Sequence, residues 1–360
     1  MKMKLCFRHY GESDKIPIEY ISQIPGVGYI VSAVYDADVG QVWRRESIER
    51  ISRSASRCGM KFSVVESIPV HENIKLGGHD RDRLIDNYAE NIRRVAEVGV
   101  DCVTYNFMPI FDWTRTQLNK VLPDGSTSLV MYKNQLEEID PARDNLSLPG
   151  WDSSYTREEI TRLMAEYKAL GNEGLWENLK YFLGKIIPVA ESCGVKMAIH
   201  PDDPPYSVFG IPRIITCEEN IDRMLNLYVS PSNCLCFCTG SLGCANSNNI
   251  PKMIEKYVQA GKIAFMHIRN VKNLPDGSFE ETAHLSSCGS MDMFEIVKIL
   301  VENSYDGYVR PDHGRMIWDE VNKEGVAPGY GLYDRALGAT YLNGLFEACE
   351  KMIKEGEYAE

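Results

Sequence analysis

The stretch Val195-Lys196-Met197-Ala198-Ile199-His200, following Gly194, reads as a short buried strand that ends in a residue able to bind metal. Three later segments have the same form: Cys236-Phe237-Cys238, Ala264-Phe265-Met266-His267 and Val309-Arg310-Pro311-Asp312. Strands that are neighbours in one closed parallel sheet bring their C-terminal ends to one rim. His200, Cys238, His267 and Asp312 are therefore expected to converge there, and the active site with them.

Outward from these segments, apolar β-branched runs alternate with stretches of helical period, the pattern of repeated βα units. Strands are expected at Leu5–His9, Tyr29–Tyr35, Lys61–Ser67, Asp101–Phe107, Val195–His200, Leu235–Thr239, Ile263–Ile268 and Gly307–Pro311. Helices are expected at Ile18–Ile24, Arg45–Cys58, Arg81–Val98, Leu175–Cys193, Cys217–Val229, Ile250–Ala260, Met291–Asn303 and Leu332–Lys354. Gly59, Gly99, Gly194, Gly261 and Gly307 stand where left-handed helix C-caps belong. Eight such units predict a TIM (β/α)8 barrel spanning residues 1–360 as one domain. Residues 109–174 form a long insertion after strand 4, with Trp113, Trp151, a Pro123-Asp124-Gly125 turn and a helix over Arg157–Leu170. After the last strand, Arg315–Tyr330 is placed to act as a lid.

Composition narrows the function classes. The chain has 360 residues, 44% hydrophobic and 25% charged, and no apolar run approaches the roughly 20 residues of a membrane span. A formal net charge of −12 argues against general affinity for nucleic acid. The start Met1-Lys2-Met3-Lys4 runs into a strand-like segment without a signal-peptide pattern, so a cytoplasmic location is expected. The 11 scattered cysteines predict small buried thiols rather than a disulfide framework. Gly26-Val27-Gly28 and Gly329-Tyr330-Gly331 lack the strand–helix context of a phosphate-binding loop, and no nucleotide or organic cofactor is expected.

Strand parity supports a metal site. His200 shares a face with Ala198 and Lys196, Cys238 with Cys236 and Cys234, His267 with Phe265 and Ile263, and Asp312 with Arg310 and Tyr308. Any one of the four would serve as an ordinary core or capping residue, but four ligand types at one position of four successive units point to metal. Cys234-Leu235-Cys236-Phe237-Cys238 is not a zinc cluster, because alternate strand residues about 6.6 Å apart cannot all reach one ion at about 2.3 Å. Two imidazoles, a thiolate and a carboxylate suit Fe(II), Mn(II), Co(II) or Zn(II). The same rim carries Arg8, His9, Tyr10, Glu66, His71, Tyr105, Asn106, Arg269, Arg310 and His313, which suits a small anionic polyhydroxylated substrate. His79 and His284 read as loop residues.

The segments Glu66-Ser-Ile-Pro-Val70, Tyr105-Asn-Phe-Met-Pro-Ile-Phe-Asp-Trp-Thr-Arg-Thr116, His200-Pro-Asp-Asp-Pro-Pro205, Cys238-Thr-Gly-Ser241, Met266-His-Ile-Arg269 and Arg310-Pro-Asp-His-Gly314 together resemble the mannonate dehydratase family, from the first strand to the last helix. The resemblance implies a TIM barrel of the xylose-isomerase-like type. It implies dehydration of D-mannonate to 2-keto-3-deoxy-D-gluconate in hexuronate (glucuronate) catabolism, with Mn(II) or Fe(II) on His200, Cys238, His267 and Asp312. Arg310, His313 and Tyr330 become the catalytic groups, Arg8, Glu66, His71, Tyr105, Asn106 and Arg269 the substrate contacts, and a homodimer or larger homo-oligomer the assembly. An aldose–ketose isomerase fits less well, since such sites rely on Glu and Asp ligands for neutral sugars. A non-catalytic sugar-acid sensor would have lost a ligand or an acid/base group, and none is missing.

Overall fold

The computed structural model describes residues 3–141 and 155–357; Trp151 of the expected insertion lies outside them. Among these residues the strands are β1 (Lys4–Arg8), β2 (Tyr29–Ser32), β3 (Lys61–Glu66), β4 (Cys102–Tyr105), β5 (Gln117–Val121), β6 (Thr127–Met131), β7 (Lys196–Ile199), β8 (Asn233–Cys238), β9 (Ile263–Ile268), β10 (Val271–Asn273), β11 (Phe279–Glu281) and β12 (Tyr308–Pro311). Eight of them, each at an expected position, close into a parallel barrel in chain order, β1-β2-β3-β4-β7-β8-β9-β12 and back to β1. Alternation along each strand sorts the side chains into two layers. Cys6, Val31, Val64, Cys102, Ala198, Cys234, Cys236, Phe265 and Tyr308 fill the barrel interior. Leu5, Phe7, Val65, Val103, Tyr105 and Ile199 face outward into the layer shared with the helices.

β9 departs from simple alternation. Its pairing with β8 shifts between Leu235 and Cys236. Ala264 and Phe265 both enter the interior, while Ile263, expected on the inner face, packs outside. A bulge adds one residue and so reverses the face of everything before it.

The helices form where the apolar period dictates. Arg81–Glu97 buries Leu84, Tyr88, Ile92 and Val95, spaced by three or four, with Ile85 beside Leu84 on the same stripe. Arg157–Cys193 is continuous except at Gly171 (φ 65°), which separates the expected insertion helix from the barrel helix. Its start carries a capping box, the Thr156 side chain accepting from the Glu159 N–H and Glu159 accepting from the Thr156 N–H. Gly307 is not a left-handed cap; Ser304 takes that conformation (φ 53°). Gly307 instead makes room for the Tyr305 ring, which a Cβ there would overlap.

The insertion contains a hairpin of β5 and β6 whose turn holds Pro123-Asp124-Gly125, Asp124 Oδ1 accepting from the Ser126 N–H at 3.0 Å. β6 pairs with β11 and β11 with β10, so the insertion and the β9–β12 connection share one four-stranded antiparallel sheet in the order β10-β11-β6-β5. Arg315–Tyr330 runs against the same hairpin: Met316 bridges to Thr127, and Arg315 donates to Asp124 at 2.8 Å.

Phe182, fully buried, packs edge-to-face with Tyr88 (5.0 Å) and Tyr105 (5.8 Å) and at a tilt with Phe107 (5.9 Å), tying the long helix to β4. Phe182→Ala is expected to cost about 3–5 kcal/mol and lower the thermal unfolding midpoint by several degrees. An unchanged midpoint in calorimetry would contradict this packing.

Candidate active site at the barrel mouth

Two residues beyond the apolar interior layer, the same inner faces present Arg8, Glu66, Thr104, His200, Cys238, His267 and Arg310, so the top of the barrel is polar where the layer beneath is apolar. Pairing sets three of these side by side: Cys238 is opposite His267, and His267 opposite Arg310. Asp312 follows one step past β12.

The donor atoms of Cys238, His267 and Asp312 lie within 4.8 Å of one another, and so do those of His200, Cys236 and His267. Three of the four expected ligands, Cys238, His267 and Asp312, thus form one triplet, while the fourth, His200, meets His267 in a second triplet whose thiol is Cys236. Cys238 Sγ is 3.6 Å from Asp312 Oδ2, and His267 Nδ1 is 3.7 Å from Asp312 Oδ1. Bonds of about 2.0–2.3 Å to one ion put neighbouring donors roughly 3–4 Å apart, so these separations fit a divalent cation. His200 Nδ1 lies 2.7 Å from the Pro201 carbonyl, a bond that leaves Nε2 as the free lone pair. Cys238 Sγ accepts from the Ser241 hydroxyl (3.1 Å), the Ser241 N–H (3.4 Å) and Arg269 Nη2 (3.8 Å). Among the described residues none donates to Cys236 in this way, and burial pushes its thiol well above the usual range, the Glu66 charge adding to the effect.

Charge is matched in two buried groups. Glu66 pairs with Arg8 and with Arg310 Nη2 (2.9 Å), and Arg310 Nη2 also reaches Asp312 Oδ1 (2.8 Å). Burial opposes ionisation of Glu66, but Arg310, Arg8 and His267 hold its carboxyl well below the usual carboxylate range. Asp312 is likewise held low against burial by His313, Arg310, His267 and Arg269. The second group joins Arg115, Asp203, Arg269 and Glu281. Arg115 donates to Asp203 Oδ1 (2.8 Å) and Glu281 Oε1 (2.6 Å), and Arg269 to Asp203 Oδ2 (2.7 Å) and Glu281 Oε1 (2.6 Å). His313 stands at its edge, Nδ1 3.0 Å from Glu281 and Nε2 2.9 Å from the Tyr330 hydroxyl. Burial, with the Asp312 charge adding, raises the Tyr330 phenol to about 12. Trp113 covers the His313 ring at 4.7 Å.

A cavity of about 220 Å³ opens over this layer. Of the expected site residues, Arg8, Glu66, Tyr105, Asn106, His200, His267, Arg310, Asp312, His313 and Tyr330 line it. Cys238 is fully buried behind it. Three expected residues stand apart from the rest. Arg269 is fully buried and does not line the cavity, because its guanidinium is committed to Asp203, Glu281 and Cys238. His71 lies elsewhere, accepting from the Asn73 N–H (3.0 Å) as the cap of the helix Glu72–Lys75. Tyr105 meets the cavity at the strand end while its ring packs outward on Phe182; the inward residue is Thr104, whose buried hydroxyl has no partner among the described residues. His284 lies in a loop, as expected, yet is buried against the last helix, where a Cβ on Gly338 would collide with its ring.

Sequence reading assigned no role to Arg115, Trp113, Asp203, Ser241 or Glu281. Trp113 and Arg115 sit in Asp-Trp-Thr-Arg, Asp203 in Pro-Asp-Asp-Pro and Ser241 in Cys-Thr-Gly-Ser, all strings singled out for resemblance. In the last string a Cβ on Gly240 would overlap the Arg269 guanidinium, so glycine admits the arginine. Glu281 gave no signal, lying in a three-residue strand.

The closed eight-stranded parallel barrel, with a polar, metal-type cluster at its C-terminal mouth, is a TIM barrel whose fold is that of xylose-isomerase-like proteins. The chain belongs to the D-mannonate dehydratase (UxuA) family, whose model matches residues 3–356, and its enzyme class is that of a hydro-lyase. A mannonate dehydratase of Streptococcus uberis is 51% identical over 352 residues, covering 98% of this chain and 100% of the relative. The crystal structure of mannonate dehydratase from Streptococcus suis serotype 2 superposes with TM-score 0.91 at 47% identity, over 98% of this chain and 96% of that one. A xylose isomerase domain protein of Planctomyces limnophilus, 11% identical with TM-score 0.55 over 97% of this chain and 98% of that one, shares the fold alone.

The charge network makes the fold acid-sensitive. Burial would raise Glu281, yet Arg269, His313 and Arg115 lower it from 4.5 to about 2. A depressed carboxyl stabilises the folded state above its unfolded pKa, and that contribution is lost as pH falls through the folded value. Between pH 4.5 and about pH 2 the thermal midpoint is expected to fall more steeply in the native protein than in Glu281→Gln. Parallel acid limbs would show that Glu281 is not held ionised by its arginines.

Proposed function

We propose that the protein dehydrates D-mannonate to 2-keto-3-deoxy-D-gluconate with Mn(II) or Fe(II), as a cytoplasmic step of hexuronate (glucuronate) catabolism, in a homodimer or larger homo-oligomer. In this reading residues 109–174 are an insertion within a single barrel domain and serve the site through Trp113 and Arg115. No helix among the described residues is long and apolar enough to cross a membrane. The observation that carries the reading is the Cys238–His267–Asp312 donor cluster at the barrel mouth, in a chain of this family.

The metal ligands of this reading are Cys238, His267 and Asp312, with His200 completing the set through its free Nε2. The donors converging on Cys238 Sγ favour it over Cys236. When bound, a divalent ion supplies Lewis-acid stabilisation of the charge that develops on the substrate carboxylate and orients that substrate. Arg8 and Arg310 line the cavity and attract the acid, while the Thr104 hydroxyl and Asn106 offer partners for sugar hydroxyls. His313 Nε2 takes the C2 hydrogen as a proton. The C2–H electron pair forms the C2–C3 double bond, the C3–O bond breaks, and the departing hydroxyl leaves as water with the Tyr330 proton. Transfer from His313 to the Tyr330 phenolate across their 2.9 Å contact restores both groups. The enol product tautomerises to the 2-keto acid unaided.

Incubation with D-mannonate is expected to give a 2-keto-3-deoxy acid by colour test, and neutral aldoses are expected to give none; isomerised neutral sugar without that acid would overturn the reading. His200→Ala and Cys238→Ala are expected to lose bound metal and turnover together. His313→Asn is expected to keep the metal and lose at least about 10²-fold in kcat. Near-native turnover of His313→Asn would remove it from the proton step.

A further inference from the structure

We infer that Glu281 is the positioning residue for His313: its carboxylate holds the imidazole with the hydrogen on Nδ1 and a bare Nε2 turned to the Tyr330 hydroxyl. This rests on the dehydration proposed above, in which Nε2 is the atom that accepts the substrate proton.

Both Glu281 oxygens lie 3.0 Å from His313 Nδ1. Glu281 is buried, and against that burial Arg269, His313 and Arg115 keep it ionised, so it only accepts hydrogen bonds. The hydrogen between the two groups therefore sits on the ring. Arg269 Nη1 is also 2.9 Å from Nδ1, but Nδ1 and Glu281 Oε1 lie 3.0 Å apart on the same side of Nη1, so the one Nη1 hydrogen directed there goes to the charged acceptor at 2.6 Å while the other points away. A neutral imidazole with Nδ1–H presents Nε2 as an acceptor, and the Tyr330 hydroxyl 2.9 Å away is the matching donor.

The carboxylate cannot easily move. Arg115 grips it through Nε (2.8 Å) and Nη2 (2.6 Å), and Arg269 grips the same oxygen. Its backbone is paired with Val271 across β10 and β11, and its carbonyl accepts from the Ser128 hydroxyl at 2.5 Å. The Trp113 ring packs against the imidazole at a tilt. The four-stranded sheet beside the barrel thus delivers one oriented carboxylate to the back of His313. Without it the ring is free to carry its hydrogen on Nε2, where it cannot take a proton.

The test uses the metal-loaded enzyme. Glu281→Gln keeps the volume and removes the charge; kcat on D-mannonate is expected to fall about 10²-fold or more while KM changes by less than about threefold and metal content stays native. Glu281→Asp, which retains the charge, is expected to recover part of that loss. Equal loss in both variants, a loss confined to KM or metal content, or native kcat in Glu281→Gln would overturn the assignment. Should the variants fail to fold, neutron diffraction from native metal-loaded crystals decides it: deuterium on His313 Nδ1 with Nε2 bare is expected, and deuterium on Nε2 with Nδ1 bare overturns it. A native enzyme inactive on D-mannonate would count against the reaction, and the neutron map would still decide the role of Glu281.

Discussion

Closure of a parallel sheet leaves the inner-face residue at the end of each strand no direction but the barrel axis. In this chain that constraint acts on Arg8, Glu66, Thr104, His200, Cys238, His267 and Arg310, which crowd together two residues above an apolar plug. Gathering so many ionisable groups in a water-poor mouth is costly unless each finds a counter-charge. The arrangement meets that cost by alternation: Glu66 between Arg8 and Arg310, Asp312 between Arg310 and Arg269.

The second charge group extends the same logic away from the axis. Arg115 from the insertion and Asp203 from the loop after β7 lock to Arg269 and Glu281, binding three separate connections into one rigid wall behind Cys238 and His313. Breaking one partner of such a set leaves a buried charge uncompensated, so the wall holds as a unit. The segment between β4 and β7 is therefore part of the site's scaffold. Its hairpin supports β11, its Trp113 packs against His313, and its Arg115 holds Glu281.

Most of the barrel was legible because parallel strands buried on both faces read as short apolar runs between helices of clear period, and all eight lie where those runs stand. Ligand-type residues at strand ends were legible for the same reason, since position along a strand fixes height in the barrel. Side-chain direction was less so. The bulge in β9 put Ile263 outside, and at the end of β4 the inward residue is Thr104 while the more conspicuous Tyr105 ring faces out. Three-residue strands such as β10 and β11 carry too little periodicity to be read, which hid Glu281 and with it the partner of His313. Arg269 was read as a substrate contact from its place two residues past His267, but the carboxylates that claim its guanidinium come from distant segments, and no local pattern announces them.

The central claim is that one divalent cation sits where the strand ends meet, held by His200, Cys238, His267 and Asp312. Anomalous diffraction at the metal absorption edge, from crystals of anaerobically purified protein, tests it most directly. The account predicts a single peak per chain within bonding distance of those four side chains. A peak coordinated by Cys236 in place of Cys238, or none at the barrel mouth, would contradict it.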